Sequence, residues 1–197
     1  IKKMKISLII LGVILSVFVI VQVFAYRSRK NIESYTYKVI KKHENFEIRN
    51  YEASLFTSIK LSSKDYKNSS RKGFSILAGY IFGDNNKNKK IAMTSPVVMT
   101  IEDSVTMMFM VPRKFNKKTL PKPNQSQINF VEEPVKKIAA ISFTGWANDE
   151  NIEQYKQKLK LALEAKRISY KNKFYFFGYN PPYEVFNRKN EVIVELY

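Results

Sequence analysis

The chain has 197 residues, with 34 lysines and arginines against 17 acidic residues, and its formal net charge is +17. Hydrophobic residues make up 45% of it, which suits one globular domain with an additional segment and excludes a disordered chain. It has no cysteine, which excludes disulfides, thiolate nucleophiles and zinc–cysteine sites.

The N-terminal segment predicts a membrane anchor. Residues 6–25 (ISLIILGVILSVFVIVQVFA) contain no charge, and twenty helical residues span roughly 30 Å, about one hydrocarbon core. We expect residues 1–30 to tether the chain to a lipid bilayer, with the rest outside the cytoplasm. The alternative is a signal peptide whose cleavage releases a secreted domain, although the apolar part of a signal is usually shorter.

Residues 1–30 hold six basic residues and no acidic one, so the remainder carries 28 basic and 17 acidic residues, a net charge of +11. A basic surface could meet anionic lipid, nucleic acid or an acidic ligand. The lysines are scattered rather than arrayed on one helix, which favours an ordinary solvated surface. We therefore expect no nucleic-acid partner.

After a polar linker at residues 31–36, the sequence predicts strands at 37–40 and 46–61, the latter alternating with a period of two. Ser63 or Asp65 can cap a helix. One face of this helix repeats every three or four residues, and the helix ends at Gly83. The residues of that face are Tyr66, Ser70, Phe74, Leu77 and Ile81.

A hairpin of strands 91–101 and 105–111, turning at 102–104, completes this first unit. The same order of strand, helix and two strands then recurs. It comprises strands at 128–131 and 137–145, a helix capped by Asn148 or Asp149, and strands at 174–179 and 191–196. We predict an α+β domain in which duplicated β-α-β-β units form a curved sheet or distorted barrel, with two helices outside and an N-terminal transmembrane helix.

Four strings resemble the SOUL haem-binding protein family: FEIRNYE (46–52), KGFSILAGYIFGDN (72–85), KIAMTSPV (90–97) and YNPPYEVFNRKNEV (179–192). The resemblance covers residues 37–197. It implies the same duplicated architecture. It also implies reversible, non-enzymatic binding of haem or a related tetrapyrrole in a shallow apolar groove beside the first helix of the domain.

On that helix, Arg71, Phe74, Ala78 and Ile81 follow one another at three- and four-residue steps, and Leu77 lies beside them. We interpret them as the groove, with Arg71 pairing with a propionate through charge-assisted hydrogen bonds. The alternative is that the same stripe simply packs onto the sheet.

Three further residues are candidates. Met93 offers a polarisable thioether to a flat ligand, against the alternative of core filling. Tyr179 could close over the ligand, although tyrosine is also common in cores. His43, the only histidine, is the one strong haem-iron ligand in the chain, but a histidine in a polar turn is usually just exposed, so we do not expect ligation.

Catalysis is not expected. Ser95 has no neighbouring base and no nucleophile-elbow sequence around it. We expect the side chains of Arg188 and Glu191 to bond the backbone or each other around the last hairpin. A membrane-associated module that binds another amphipathic small molecule or lipid in the same groove is the alternative function.

Overall fold

Three helices and eleven strands make up the part of the chain that the computed structural model describes, residues 2–30, 32–62, 65–101 and 104–197. The helices are α1 (Lys2–Lys30), α2 (Tyr66–Ile81) and α3 (Asp149–Ala165). The strands are β1 (Glu33–Ser34), β2 (Tyr37–Lys42), β3 (Glu47–Tyr51), β4 (Ser54–Lys60), β5 (Thr94–Ser95), β6 (Val97–Thr100), β7 (Thr106–Met110), β8 (Asn129–Glu133), β9 (Lys136–Thr144), β10 (Tyr170–Gly178) and β11 (Lys189–Leu196).

Side-chain caps start α2 and α3, as the sequence predicted. The Asp65 carboxylate accepts the Asn68 N–H at 2.7 Å, and the Asn148 side chain accepts the Asn151 N–H at 2.7 Å. Gly83 follows α2 at φ +124, a conformation that side chains rarely adopt. The predicted cap Ser63 and the first two residues of the predicted 102–104 turn lie outside the described residues.

Nine strands form one curled half-barrel sheet in the order β2-β3-β9-β11-β10-β6-β7-β4-β8, which confirms the predicted α+β class. One unit contains β4, α2, β6 and β7, and the other contains β9, α3, β10 and β11. The units meet where β6 pairs antiparallel with β10. Each also takes up the strand that precedes the other unit, because β8 pairs with β4 and β3 pairs with β9.

Side chains alternate across this sheet and make two cores. One lies between the sheet and helices α2 and α3. The other lies on the opposite face and is rich in aromatic rings. Tyr35 belongs to the second core, with its ring 4.5 Å from that of Tyr51.

The segment predicted as a polar linker therefore packs on the domain. Its strand β1 pairs in parallel with β5, and the Tyr35 N–H donates to the Ser95 carbonyl at 2.9 Å. The pairing joins residues some sixty positions apart in the chain. A local reading of the polar segment gives no sign of it.

Helix α1 carries an apolar span from Lys5 to Phe24 with a mean hydropathy of 2.9. By length and composition it is able to cross a membrane, as a membrane anchor or a signal sequence would.

Candidate functional site

Helix α2 lies flush against the sheet at Gly73. A Cβ added there would come within 2.9 Å of Leu61 Cδ1 and 3.1 Å of Met107 Sδ, so the position has room only for glycine unless neighbours shift. This close approach seals the inner face of the helix, and Leu77, Ala78 and Ile81 are all buried.

These three residues do not line an open groove in this conformation, and their contact with a ligand stays a prediction. Leu77 and Ile81 point into the core between helix and sheet, together with residues of β4, β7 and β9. Met93 is partly buried and packs against the same core. The reason is geometric, because a helix on a sheet has one buried face and the core needs all of it.

Phe74 and Phe82 stay exposed on α2 and at its C-cap, and together with Arg71 we call them the exposed row of α2. Phe74, buried Ala78 and Phe82 follow at steps of four residues, so each lies near the next on the helix surface, and Arg71 precedes Phe74 by three. Phe74 is 38% exposed and Phe82 63% exposed, with buried Ala78 between them. The Phe74 ring is held edge-on against Phe109, at 5.4 Å between centroids.

Phe82 is the member of this row that sequence reasoning missed. It continues the four-residue spacing from Phe74 and Ala78, which was the available signal. It also sits at the helix C-cap, directly before Gly83, where the predicted helix stopped. Arg71 is exposed and makes no hydrogen bond or ion pair within the described part of the chain. It is therefore available to an anionic group.

Tyr179 is not part of this surface. It continues β10 on the face opposite α2, where it packs against the second core, and its hydroxyl donates to Glu191 Oε2 at 2.6 Å. A single flat ligand on the outer face of α2 does not reach it.

The residue that Tyr179 contacts belongs to a buried ion pair. Arg49 Nη1 and Nη2 donate to the two carboxylate oxygens of Glu191, both at 2.9 Å, and Ser142 Oγ also donates to Glu191 at 2.9 Å. The Arg49 guanidinium lies 4.4 Å from the centre of the Tyr37 ring. Both charged partners are almost fully buried.

Burial by itself raises the pKa of Glu191, but hydrogen bonds from Arg49 and the charges of Arg49 and Lys189 outweigh it, so the pKa lies below its usual value. Burial also raises the pKa of the Tyr179 hydroxyl, with the Glu191 charge adding to it. The network therefore stays ionised and paired near neutral pH. Its chemistry fits a structural role, since neither acid nor base is free to exchange a proton.

The sequence predicted that Arg188 and Glu191 bond the backbone or each other. In the structure the two side chains have different partners. Arg188 does satisfy backbone carbonyls, those of residues 180, 181 and 184. Glu191 instead pairs with Arg49 of β3. Both members of that pair lie inside predicted strands, and a charged residue within a buried strand was the signal that could have exposed it.

His43 lies in the turn between β2 and β3, stacked on Phe46 at 4.3 Å between ring centres. Burial and the nearby charges of Lys41 and Lys166 lower its pKa. Strands β9, β11, β10 and β6 separate β3 from β7, on which α2 packs, so the turn is about 24 Å from β7 measured along the sheet. His43 and α2 therefore lie at opposite ends of the strand order.

Two further kinds of site that polar side chains could form are a metal centre and a nucleophilic serine. Within the described residues, no group of three or more histidine, aspartate or glutamate side chains is placed to hold a metal ion. Ser95 is buried, and its neighbour Thr94 donates to the Met110 carbonyl at 2.7 Å.

Comparison with known sequences places these features in a family. A family model described as "SOUL heme-binding protein" matches residues 32–195. Heme-binding protein 1 of Xenopus laevis is 29% identical over 82% of this chain and 90% of its own length. Heme-binding protein 2 of Mus musculus is 28% identical over 75% of this chain and 76% of its own length.

Solved structures share the fold at much lower identity. The EcmrR C-terminal domain superposes with a TM-score of 0.62 at 11% identity, over 82% of this chain and 98% of that one. A structure described as a hydrolase from Listeria innocua gives a TM-score of 0.56 at 8% identity, over 80% and 94%. At such identities the likeness is one of fold alone.

Proposed function

The chain belongs to the SOUL heme-binding protein family, and from this premise we propose that it binds haem or a related tetrapyrrole reversibly and catalyses no reaction. One observation carries the proposal: the family match extends over residues 32–195, which is nearly the whole folded domain.

We place the ligand on the exposed row of α2. Phe74 and Phe82 are eight residues apart, about 12 Å along the helix, which is comparable to the width of a tetrapyrrole ring. The small Ala78 between them lets a flat ring approach. Arg71 at one end, which makes no hydrogen bond or ion pair with any residue that the structure describes, suits a propionate.

When bound, haem supplies a flat apolar ring with two anionic side groups; the chain supplies the two phenylalanines and the arginine. Covering a few hundred Å² of apolar surface gains several kcal/mol at about 25 cal/mol/Å², before association costs. Leu77 and Ile81 lie on the buried side of α2, and Met93 packs against the same core. Direct ligand contact by Leu77 and Ile81, as the sequence suggested, would need α2 to move away from the sheet.

The chain acts at a membrane in this proposal. Helix α1 anchors it through residues 6–25, and the domain lies outside the cytoplasm. The length of the apolar span supports an anchor over a cleaved signal.

A spectroscopic haem titration of the full chain in lipid nanodiscs tests the proposal. We expect a saturable Soret change at one haem per chain, reversed by excess metal-free porphyrin. A dansyl-labelled fatty acid in the same sample reports on the alternative ligand class. Absence of saturable haem binding overturns the proposal, and displacement of haem by the fatty acid at equal concentration favours an amphipathic ligand other than a tetrapyrrole.

A further inference from the structure

The connection between β10 and β11, residues 179–188, carries an apolar tip that the domain does not cover. We call residues 181–187 the β10–β11 loop. Tyr183, Val185 and Phe186 are between 43% and 60% exposed there. An exposed cluster of this kind on a globular domain indicates an interaction surface.

The loop lies against α1, the helix proposed to be the anchor. The Phe186 ring packs edge-on against Phe18 of α1, at 6.2 Å between centroids. Gln22 Nε2 donates to the Tyr183 carbonyl at 3.0 Å, and the Val185 N–H donates to Gln22 Oε1 at 3.1 Å. The contact leaves the three apolar side chains of the tip largely exposed, so α1 positions the tip without burying it.

These contacts fix the depth of the loop. The apolar span of α1 ends at Phe24, so Gln22 lies about 3 Å and Phe18 about 9 Å inside that end, measured along the helix. Phe186, beside Phe18, is therefore within the apolar layer whenever α1 spans a bilayer. Side chains of interfacial membrane proteins reach a similar depth of roughly 5–10 Å.

Backbone groups at that depth need partners, because lipid offers none. The loop has them. Arg188 Nη1 donates to the carbonyls of Pro181, at 2.9 Å, and Glu184, at 2.6 Å, while Gln22 serves the Tyr183 carbonyl and the Val185 N–H. Two prolines at 181 and 182 remove two N–H groups outright.

The base of the loop has the character of a membrane interface. The Arg188 guanidinium lies 4.0 Å from the centre of the Trp146 ring, and Trp146, the only tryptophan of the chain, is itself exposed. Tryptophan and arginine are the side chains that settle at the level of lipid headgroups. The base of the loop is polar and aromatic, and its tip is apolar. This order matches the fall in polarity from the headgroups to the acyl chains of a bilayer.

We propose that the β10–β11 loop inserts Tyr183, Val185 and Phe186 into the lipid bilayer beside α1 and so docks the domain against the membrane surface. The occupant of this surface is lipid acyl chain, and the inference rests on the proposed anchoring of α1. The docking holds the domain in one orientation on the membrane instead of leaving it to swing on its anchor.

The natural chain has no cysteine, so single labels can be placed without other changes. An environment-sensitive fluorophore is attached at Val185→Cys or Phe186→Cys in the full chain in nanodiscs, and quenching by doxyl lipids is measured. Ile14→Cys, at the middle of the apolar span, reports on the anchor. Leu161→Cys, an exposed position on α3, is the matched control.

We expect doxyl groups near the headgroups to quench the 185 and 186 labels at least about twofold more than the 161 label, and doxyl groups near the bilayer centre to quench the 14 label. Labels at 185 and 186 that behave like the 161 label, with the 14 label quenched, overturn the inference and leave the anchor intact. Loop labels shielded from both doxyl lipid and aqueous iodide also overturn it, because protein or haem then covers the tip. An unquenched 14 label overturns the anchor, and the inference with it.

Discussion

Arg49 and Glu191 lie 142 positions apart in the chain and meet inside the sheet through two parallel hydrogen bonds of 2.9 Å. The first residue is on β3 and the second on β11, with β9 between these strands. The pair therefore bridges the strand that precedes the first unit and the last strand of the second. We expect it to help hold these two strands in place.

Removing one partner of this pair should be costly. We expect Glu191→Gln to lower the free energy of unfolding by about 3–5 kcal/mol, because it leaves the Arg49 charge buried without its counter-charge. Urea denaturation followed by Trp146 fluorescence measures it. Glu153→Gln removes the same charge from an exposed pair with Lys156 and should cost under about 1 kcal/mol. Equal losses in the two variants would contradict a stabilising role for the buried pair.

The same pair predicts a dependence of stability on pH. The pKa of Glu191 is lower in the folded chain than its ordinary 4.5, so folding favours the ionised form. Its contribution is complete above the unfolded pKa and is lost as the pH falls from about 4.5 through the lower folded value. Unfolding free energies measured across this window should decline in the natural chain and decline less steeply in Glu191→Gln. Parallel curves would show that other carboxylates govern the acid loss.

Alanine substitution at the two glycines of α2 is expected to change the stability of the chain differently. Alanine at either position gains up to about 1 kcal/mol of helix propensity. At Gly79 nothing lies within 4 Å of the added methyl, whereas at Gly73 it meets Leu61 and Met107. Overpacking costs about 1–3 kcal/mol, so Gly73→Ala should be less stable than Gly79→Ala by that amount in thermal or urea unfolding. Equal stability of the two variants would mean that α2 does not lie flush on the sheet.

Haem affinity should depend on the exposed row of α2. Phe74→Ala and Phe82→Ala each remove an aromatic contact and should weaken haem about five- to tenfold in the nanodisc titration. Arg71→Gln should weaken haem more than it weakens a porphyrin whose propionates are esterified. Leu161→Ala on α3, an apolar site exposed to about the same extent as Phe82, is the control and should leave binding unchanged. Uniform affinities across these variants would place the ligand elsewhere on the domain.

His43→Ala should leave the Soret spectrum of the haem-loaded chain unchanged. The imidazole stacks on Phe46 in the β2–β3 turn, on the half of the sheet away from α2. A shifted Soret band, with retained affinity for metal-free porphyrin, would instead identify His43 as an iron ligand and move the site to that turn.

Local patterns were sufficient for the two helices of the domain, for most of its longer strands and for the family, but not for β1 or for the breaks within residues 46–61 and 91–101. The periodicity of two in residues 55–61 and the capping side chains at Asp65 and Asn148 place strand and helix starts within a few residues, because they depend on neighbours in the chain. The order of elements, read twice, implied the duplicated α+β architecture. The four strings implied the SOUL resemblance, which the family match over residues 32–195 confirms.

The candidate site needed tertiary structure. The stripe of Arg71, Phe74, Ala78 and Ile81 is one pattern in sequence, yet the sheet divides it, since Gly73 lets the helix approach until Ile81 is sealed and Phe74 stays outside. Helical spacing defines which residues share a side of a helix. It does not define how closely the neighbouring layer approaches.

What the sequence by itself determined is therefore the two helices of the domain, most of its longer strands, their duplication, the apolar span of α1 and the family. Only the tertiary structure decided that Arg49 pairs with Glu191, that Tyr179 faces away from α2, and that the β10–β11 loop meets Gln22 of α1. The physical reason is range: propensity and capping act between residues a few positions apart. Burial, charge pairing and membrane depth depend on residues that the fold brings together from opposite ends of the chain.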